Sequence, residues 1–283
     1  MRARNQHLKR LLSLLLTVAM VLTMIPAAFA ADTTTSSGFV IGPYLLAPKT
    51  TSMVAVWETS GSEPTTIRFG TDADTLGEAV PVERDPEAPD YGGAQTNIFR
   101  YKFSDLTPGT RYYYEVALAD GEVSRGTFRI LEENPTEIRY ISITDTHKFD
   151  TKSTFDAAVA AYDPAFIIHG GDMVEGTGTQ KEQYAFWFNS GEFIHNYPVV
   201  YACGNHDFSD YFDMYVIDTQ TEEYGSVVEG NISFDYGDVH FDLMDSNPWA
   251  LFQMNAETSG GQMDAATAQK IEQTVQWLKD DLA

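Results

Sequence analysis

Near residue 131 the hydrophobic pattern of this chain changes period, and few architectures accommodate both halves. From Phe39 to about Leu131 apolar residues come in short runs dense in β-branched and aromatic side chains. Ser52–Trp57 (SMVAVW), Thr66–Gly70 (TIRFG) and Arg111–Ala117 (RYYYEVA) are the clearest, and Pro108-Gly109 and Asp120-Gly121 supply turns between such runs. Short strands punctuated in this way predict a small β-sandwich over residues 39–131. After the polar joint Leu131–Glu137 (LEENPTE) the runs begin to alternate between strand and helix. Arg139–Thr144, Phe166–His169 and Pro198–Ala202 read as strands. Ser153 and Asp156 suggest a capping box for a helix on which Phe155, Val159 and Tyr162 share a face, ended by Asp163-Pro164. A second, aromatic helix is expected over about Lys181–Ile194. Alternation of this kind predicts an α/β domain with parallel strands over residues 138–283. A hairpin follows, Ile232–Tyr236 with Val239–Met244, turned at Gly237-Asp238. The last element expected is an amphipathic helix, Ala268–Leu282, with Ile271, Val275, Leu278 and Leu282 on one stripe.

The N-terminus reads as an export signal. MRARNQHLKR is basic, Leu11–Ile25 is almost uninterrupted apolar sequence, Pro26 breaks it, and Ala28-Phe29-Ala30 offers small residues for cleavage. The apolar run is short of the roughly 20 residues that span a bilayer. We therefore expect a signal peptide over residues 1–30, cleaved after Ala30, a flexible linker over 31–38, a secreted or extracytoplasmic protein, and no stable membrane span after cleavage. Cys203 is the single cysteine, so no internal disulfide forms. Charge excludes one class of partner. The chain has 18 Lys+Arg against 41 Asp+Glu, a formal net charge of −23. All the charge ahead of Ala31 is basic (Arg2, Arg4, Lys9, Arg10), so the remainder carries −27. Such a surface repels phosphate backbones, and nucleic-acid binding by electrostatics is ruled out.

Three predicted strands of the second domain end in polar residues of the ligand type. The first delivers Asp145-Thr146-His147, the second Gly171-Asp172, the third Gly204-Asn205-His206-Asp207. Ligands bind at the carboxyl ends of strands in parallel α/β sheets, so these residues should converge on one rim. Carboxylates gathered without lysine or arginine repel each other unless a cation sits among them. Mixed oxygen and imidazole donors suit Mn, Fe, Zn or similar ions. A carboxylate bridging two ions about 3.5–4 Å apart provides a clamp for in-line phosphoryl displacement. Glycines before Asp172 and Asn205 let the backbone turn sharply beside the ions.

D-x-H, G-D and G-N-H-D, each after a strand and spaced 27 and 33 residues apart, resemble the calcineurin-like metallophosphoesterase superfamily. Leu106–Tyr114 (LTPGTRYYY) resembles the tyrosine-corner region of fibronectin type III-like domains. With that domain in front and Phe234–Phe241 (FDYGDVHF) behind, the chain is similar to purple acid phosphatases. The resemblance implies a β-sandwich followed by an αββα metallophosphoesterase domain. It implies two divalent or trivalent metal ions (Fe, Mn or Zn), with Asp145 and His147 on the first, Asp172 bridging, and Asn205 on the second. It also implies that His206 faces the leaving group and that Asp207 orients the His206 ring. The activity implied is hydrolysis of a phosphoric ester by a metal-bound hydroxide, on a small molecule or a phosphorylated polymer.

The resemblance has two departures. Glu175 stands where purple acid phosphatases carry the tyrosine that ligates iron(III), so the ligand set is that of the general superfamily. The later histidine and G-H-x-H motif of the family are absent, which implies a C-terminally truncated chain of low activity. The remaining histidines His169, His195 and His240 are expected to be structural or exposed. A different class of function stays open at this point: a catalytically dead secreted binding or adhesion protein with a degenerate phosphoesterase domain.

Overall fold

A computed structural model describes residues 38–283 apart from 62, 87, 89, 92–93, 148, 177–179, 208–209, 227, 229, 250–260 and 262. The expected signal peptide and nearly all of the linker lie outside the described residues. Among those described, no helix is long and apolar enough to cross a membrane.

The first half forms two antiparallel sheets, as its strand-rich runs predict. One holds β1 (Phe39–Leu46), β2 (Met53–Thr59) and β7 (Asn97–Phe103), in the order β1-β2-β7. The other holds β3 (Thr65–Gly70), β4 (Val80–Val82), β8 (Arg111–Ala117) and β9 (Val123–Arg129), in the order β4-β3-β8-β9. Two short strands, β5 (Asp90–Tyr91) and β6 (Ala94–Gln95), pair with each other. Side chains alternate across a strand. On β2, Met53, Ala55 and Trp57 enter the sandwich interior with Phe99, Phe103, Tyr114 and Phe128. Val54 and Val56 point the other way and are buried too. All seven residues of β2 are buried because its outer face is covered by the second half of the chain. The tyrosine corner expected at Leu106–Tyr114 closes through Tyr112, whose hydroxyl accepts the Thr107 N–H at 3.0 Å.

In the second half β10 (Tyr140–Ile143), β11 (Phe166–His169) and β12 (Val199–Tyr201) run parallel in the order β10-β11-β12. Their register aligns Ile143 with His169 and His169 with Tyr201, so the three carboxyl ends finish side by side. Helices α1 (Lys152–Tyr162), α2 (Gln180–Phe188) and α3 (Glu192–Asn196) cover one face through Phe155, Val159, Trp187 and Phe193. On the other face Phe166 and Val200 meet Phe234, Tyr236 and Leu243 of the hairpin β13 (Ile232–Tyr236) and β14 (Val239–Leu243). After β12 come α4 (Asp210–Phe212), a π-helical turn (Asp213–Ile217) and α5 (Asp218–Tyr224). The terminal helix α6 (Ala265–Asp281) lies beyond the hairpin, joined to it by Asn231–Thr274 and Ser233–Asp281 hydrogen bonds. Helix, sheet, hairpin and helix are thus stacked in four layers.

Three local expectations are corrected. Helix α1 has no capping box at Ser153: Thr151 is its N-cap without a side-chain bond, and Asp156 instead accepts the Phe193 N–H. The single helix expected over Lys181–Ile194 is two. Asn189 ends the first by spending its side chain on β1, accepting the Gly42 N–H and donating to the Val40 carbonyl. On α6 the stripe is rotated. Thr274 and Trp277 are the buried residues, while Val275 and Leu282 are exposed.

Candidate metal centre

The aligned strand ends deliver three loops to one place. One ligand atom each from Asp145, His147 and Asp172 lies within 4.8 Å of the others. All three residues sit in the left-handed region, at φ of 54°, 45° and 57°. That conformation costs an L-residue about 1–2 kcal/mol, so other contacts must hold it. The Asp145 N–H donates to the Gly171 carbonyl at 3.0 Å, and the His147 N–H to the Asp172 carbonyl at 2.9 Å. The first two loops are thereby stitched backbone to backbone. Glycine is required where the second and third loops meet. A Cβ on Gly171 would fall 2.4 Å from the Gly204 nitrogen, and one on Gly204 would fall 2.1 Å from the Asp172 nitrogen.

The candidate ligand side chains are oriented from behind. His147 Nδ1 lies 3.0 Å from the Val174 carbonyl. A carbonyl only accepts, so Nδ1 carries the proton and Nε2 presents its lone pair to the cluster, 4.0 Å from the Asp145 carboxylate. The Asp145 side chain is 62% exposed against 19% for His147, so the centre opens to solvent on the Asp145 side. Among the described residues no lysine or arginine pairs with Asp145 or Asp172. Two carboxylates and an imidazole facing one another without a cationic side chain fit a metal ion.

On the third loop the Asp172 carboxylate accepts the His206 N–H at 2.9 Å. The His206 ring stands perpendicular to that of His147, with centroids 5.2 Å apart. Asn205 is exposed on the same turn. Asp207 does not orient His206. Its carboxylate is fully buried and accepts three backbone N–H groups, from Asp172 (2.7 Å), Met173 (2.9 Å) and Gly204 (3.0 Å). It is the rivet between the second and third loops. Burial pushes its carboxyl up to about 6, against those three hydrogen bonds, which favour the charged form. The His206 ring is held instead by the Glu175 carbonyl, 2.6 Å from Nδ1. Sequence gives no signal for backbone acceptors such as Val174 and Glu175, since any residue supplies a carbonyl.

The remaining histidines are engaged elsewhere. His169 is buried against Thr146 and Gly171, and loss of hydration lowers its pKa to about 3, with nearby His147 adding to the effect. His195 is buried with its Nδ1 on the Pro43 carbonyl. His240 forms a second grouping with Asp242 and Asp281. Both of its nitrogens already meet carboxylates, Asp235 and Asp281, each at 2.7 Å. Those partners raise its pKa to about 9, so this grouping is an ion-pair clamp. Burial pushes the free Cys203 thiol far up, which disfavours the thiolate that a nucleophile needs.

The sequence model described as calcineurin-like phosphoesterase matches residues 138–281, half of the chain. The chain belongs to the calcineurin-like phosphoesterases. The domain in front of this phosphoesterase matches the purple acid phosphatase N-terminal domain over residues 43–130. Among solved structures it resembles PhoD, with a TM-score of 0.52 and 13% identity over 74% of this chain and 52% of PhoD. It also resembles purple acid phosphatase PPD1 from yellow lupin (Lupinus luteus) seeds, with a TM-score of 0.51 and 16% identity over 72% of this chain and 45% of that one. The chain therefore spans about half the length of these structures, and at such identities the likeness is one of fold. No curated protein sequence matches it.

Proposed function

We propose that this phosphoesterase is an exported, metal-dependent hydrolase of phosphoric esters, built from a sandwich domain (39–131) and a catalytic domain (138–283). The observation that carries the reading is the convergence of Asp145 and His147, after β10, with Asp172, after the adjacent and aligned β11. Asp145, His147 and Asp172 would hold a first ion, and Asp172 with Asn205 a second, with Mn, Zn or Fe suited to such donors. Ions held there would supply neutralisation of charge on the phosphoryl oxygens and a water acidic enough to be a nucleophile near neutrality. His206 serves the leaving group. With Nδ1–H held by the Glu175 carbonyl, its Nε2 is the free atom, and in the imidazolium form it donates a proton to the departing oxygen. Asp207 fixes the loops that carry these groups. The substrate is a phosphate ester, either a small molecule or a group on a polymer.

The test is metal-linked stability together with turnover. Adding Mn, Zn or Fe to chelator-treated protein should raise its melting temperature, by about 2.7 kcal/mol of stability at a hundredfold excess over Kd. Asp172→Asn should abolish the rise while leaving the metal-free melting temperature within a few degrees. Asp172 with the neutral amide of Asn205 would be a thin donor set for a second ion, so that ion should bind weakly and an aryl phosphate should be hydrolysed slowly. No metal-linked shift would support the binding-protein reading instead. Two tight equivalents with brisk turnover would overturn the ligand scheme.

A further inference from the structure

His169 ends β11, three residues before Asp172, and no solvent reaches it. Its ring stands edge-on to Trp187 at 4.8 Å and is tilted against Tyr201 at 5.7 Å. Those aromatic neighbours fix the plane of the ring, and both nitrogens are then spent on ligand loops. Nδ1 accepts the N–H of Gly171 at 3.1 Å. Nε2 lies 2.9 Å from Oγ1 of Thr146, the residue between Asp145 and His147. Because Nδ1 accepts, the neutral ring carries its proton on Nε2 and donates it to Thr146. Gly171 also gives its carbonyl to the Asp145 N–H, so the residue leading into Asp172 is gripped by the ring on one side and by the first loop on the other.

We infer that His169 is a positioning residue for the metal centre: a neutral imidazole that sets the spacing between the Asp145–His147 loop and Asp172. The inference rests on the reading of Asp145, His147 and Asp172 as metal ligands. All three hold left-handed backbones, which relax unless opposing contacts keep them in place. A phenyl ring in place of His169 fills the same space. It leaves the Gly171 N–H without its acceptor and Thr146 without its donor, so the loops lose their common reference. Groups that orient ligands from behind change metal affinity about 10–100-fold.

Chelator-treated wild type, His169→Phe, His169→Asn and Thr146→Val are titrated with Co2+, reading the visible absorption band and the calorimetric Kd. Circular dichroism confirms folded protein at the assay temperature. His169→Phe should weaken Co2+ binding about tenfold or more and shift the band. His169→Asn, whose amide oxygen can accept from Gly171, should recover part of the affinity although it packs worse than phenylalanine. Thr146→Val should shift both readouts in the same direction by less. A packing role alone lowers the melting temperature of His169→Phe with Kd and band unchanged, and that result overturns the inference. Should His169→Phe fail to fold, Thr146→Val decides, and wild-type Kd and band in that variant overturn it. A wild type that does not titrate with Co2+ overturns the ligand reading itself, and is recognised by the absence of any band before a variant is considered.

Discussion

Gly204 carries more of the candidate metal centre than its missing side chain suggests. Its backbone does not need a left-handed angle; what it needs is room, because a Cβ there would lie 2.1 Å from the Asp172 nitrogen and 2.2 Å from the Asp172 Oδ1. Backbone cannot yield as a flexible side chain does. Gly204→Ala must therefore push apart the two loops that Asp207 rivets together, breaking N–H bonds to a buried carboxylate. Overpacking of this kind costs about 1–3 kcal/mol. The expected outcome is a lower melting temperature and loss of the metal-induced rise, read by calorimetry with and without chelator. A variant that keeps the full rise would show that the loops can separate without moving Asp172. Asp207 teaches a related point. The family resemblance carried by G-N-H-D implied a functional histidine with an orienting aspartate, a common pairing of carboxylate and imidazole. The structure gives that carboxylate to three backbone N–H groups, and no residue-type pattern encodes which donors a buried acid will find.

At the scale of elements, strand positions were legible because period-2 runs bounded by turn residues have few alternatives. β10, β11 and β12 fall where apolar runs placed them, and the hairpin turns at Gly237, at φ of 59°, as the two-residue Gly237-Asp238 turn required. Helix details were less legible because tertiary partners decide them. Asn189 breaks a helix to bond β1, and α6 turns Trp277 rather than Val275 inward. The π-helical turn Asp213–Ile217 has a similar cause: its Met214 and Tyr215 carbonyls accept from Arg100 and Tyr44 of the sandwich. The hairpin and α6 are joined partly by charge. His240, on β14, lies between Asp235 and Asp281, and these carboxylates raise its pKa from the usual 6.5 to about 9. A raised histidine pKa contributes stability that is present in full below about 6.5 and is lost as pH rises through about 9. The cluster is partly exposed, so the contribution is screened and at most about 1 kcal/mol. His240→Ala should speed hydrogen exchange in the last turns of α6 at pH 6, and the difference from wild type should vanish above pH 9. Equal effects at both pH values would mean that packing, not charge, ties the helix down.

For the molecule as a whole, the sandwich and the phosphoesterase domain share one core. Ile41, Tyr44, Leu46, Val54, Val56 and Ile98 of the first pack with Phe188, Tyr215 and Val216 of the second. Polar contacts across the seam are satisfied as well. Buried Glu58 takes Lys181 at 2.7 Å and the Tyr215 hydroxyl at 2.6 Å, and the Tyr114 hydroxyl donates to the His195 carbonyl at 2.8 Å. An apolar seam of this kind is not a hinge, since relative motion would expose the apolar side chains and strand the buried acid. The seam also reaches the candidate metal centre. α2 is tied to β2 through Lys181–Glu58, and its Tyr184 hydroxyl donates to the Asp207 carbonyl at 3.1 Å. The front domain therefore braces, through α2, the loop that carries Asp207. Tyr44 tests this. It is 1% exposed, stacks on Phe188 with centroids 4.0 Å apart, and donates its hydroxyl to the Tyr215 carbonyl at 2.6 Å. Wild type should unfold in one transition, with calorimetric and van't Hoff enthalpies equal. Tyr44→Ala should remove about 3–5 kcal/mol, as large-to-small aromatic truncations in cores do, and should lower the melting of both halves together. Two separated transitions in wild type, or a variant in which only the sandwich melts early, would mean that the halves fold independently and that the sandwich does not support the site.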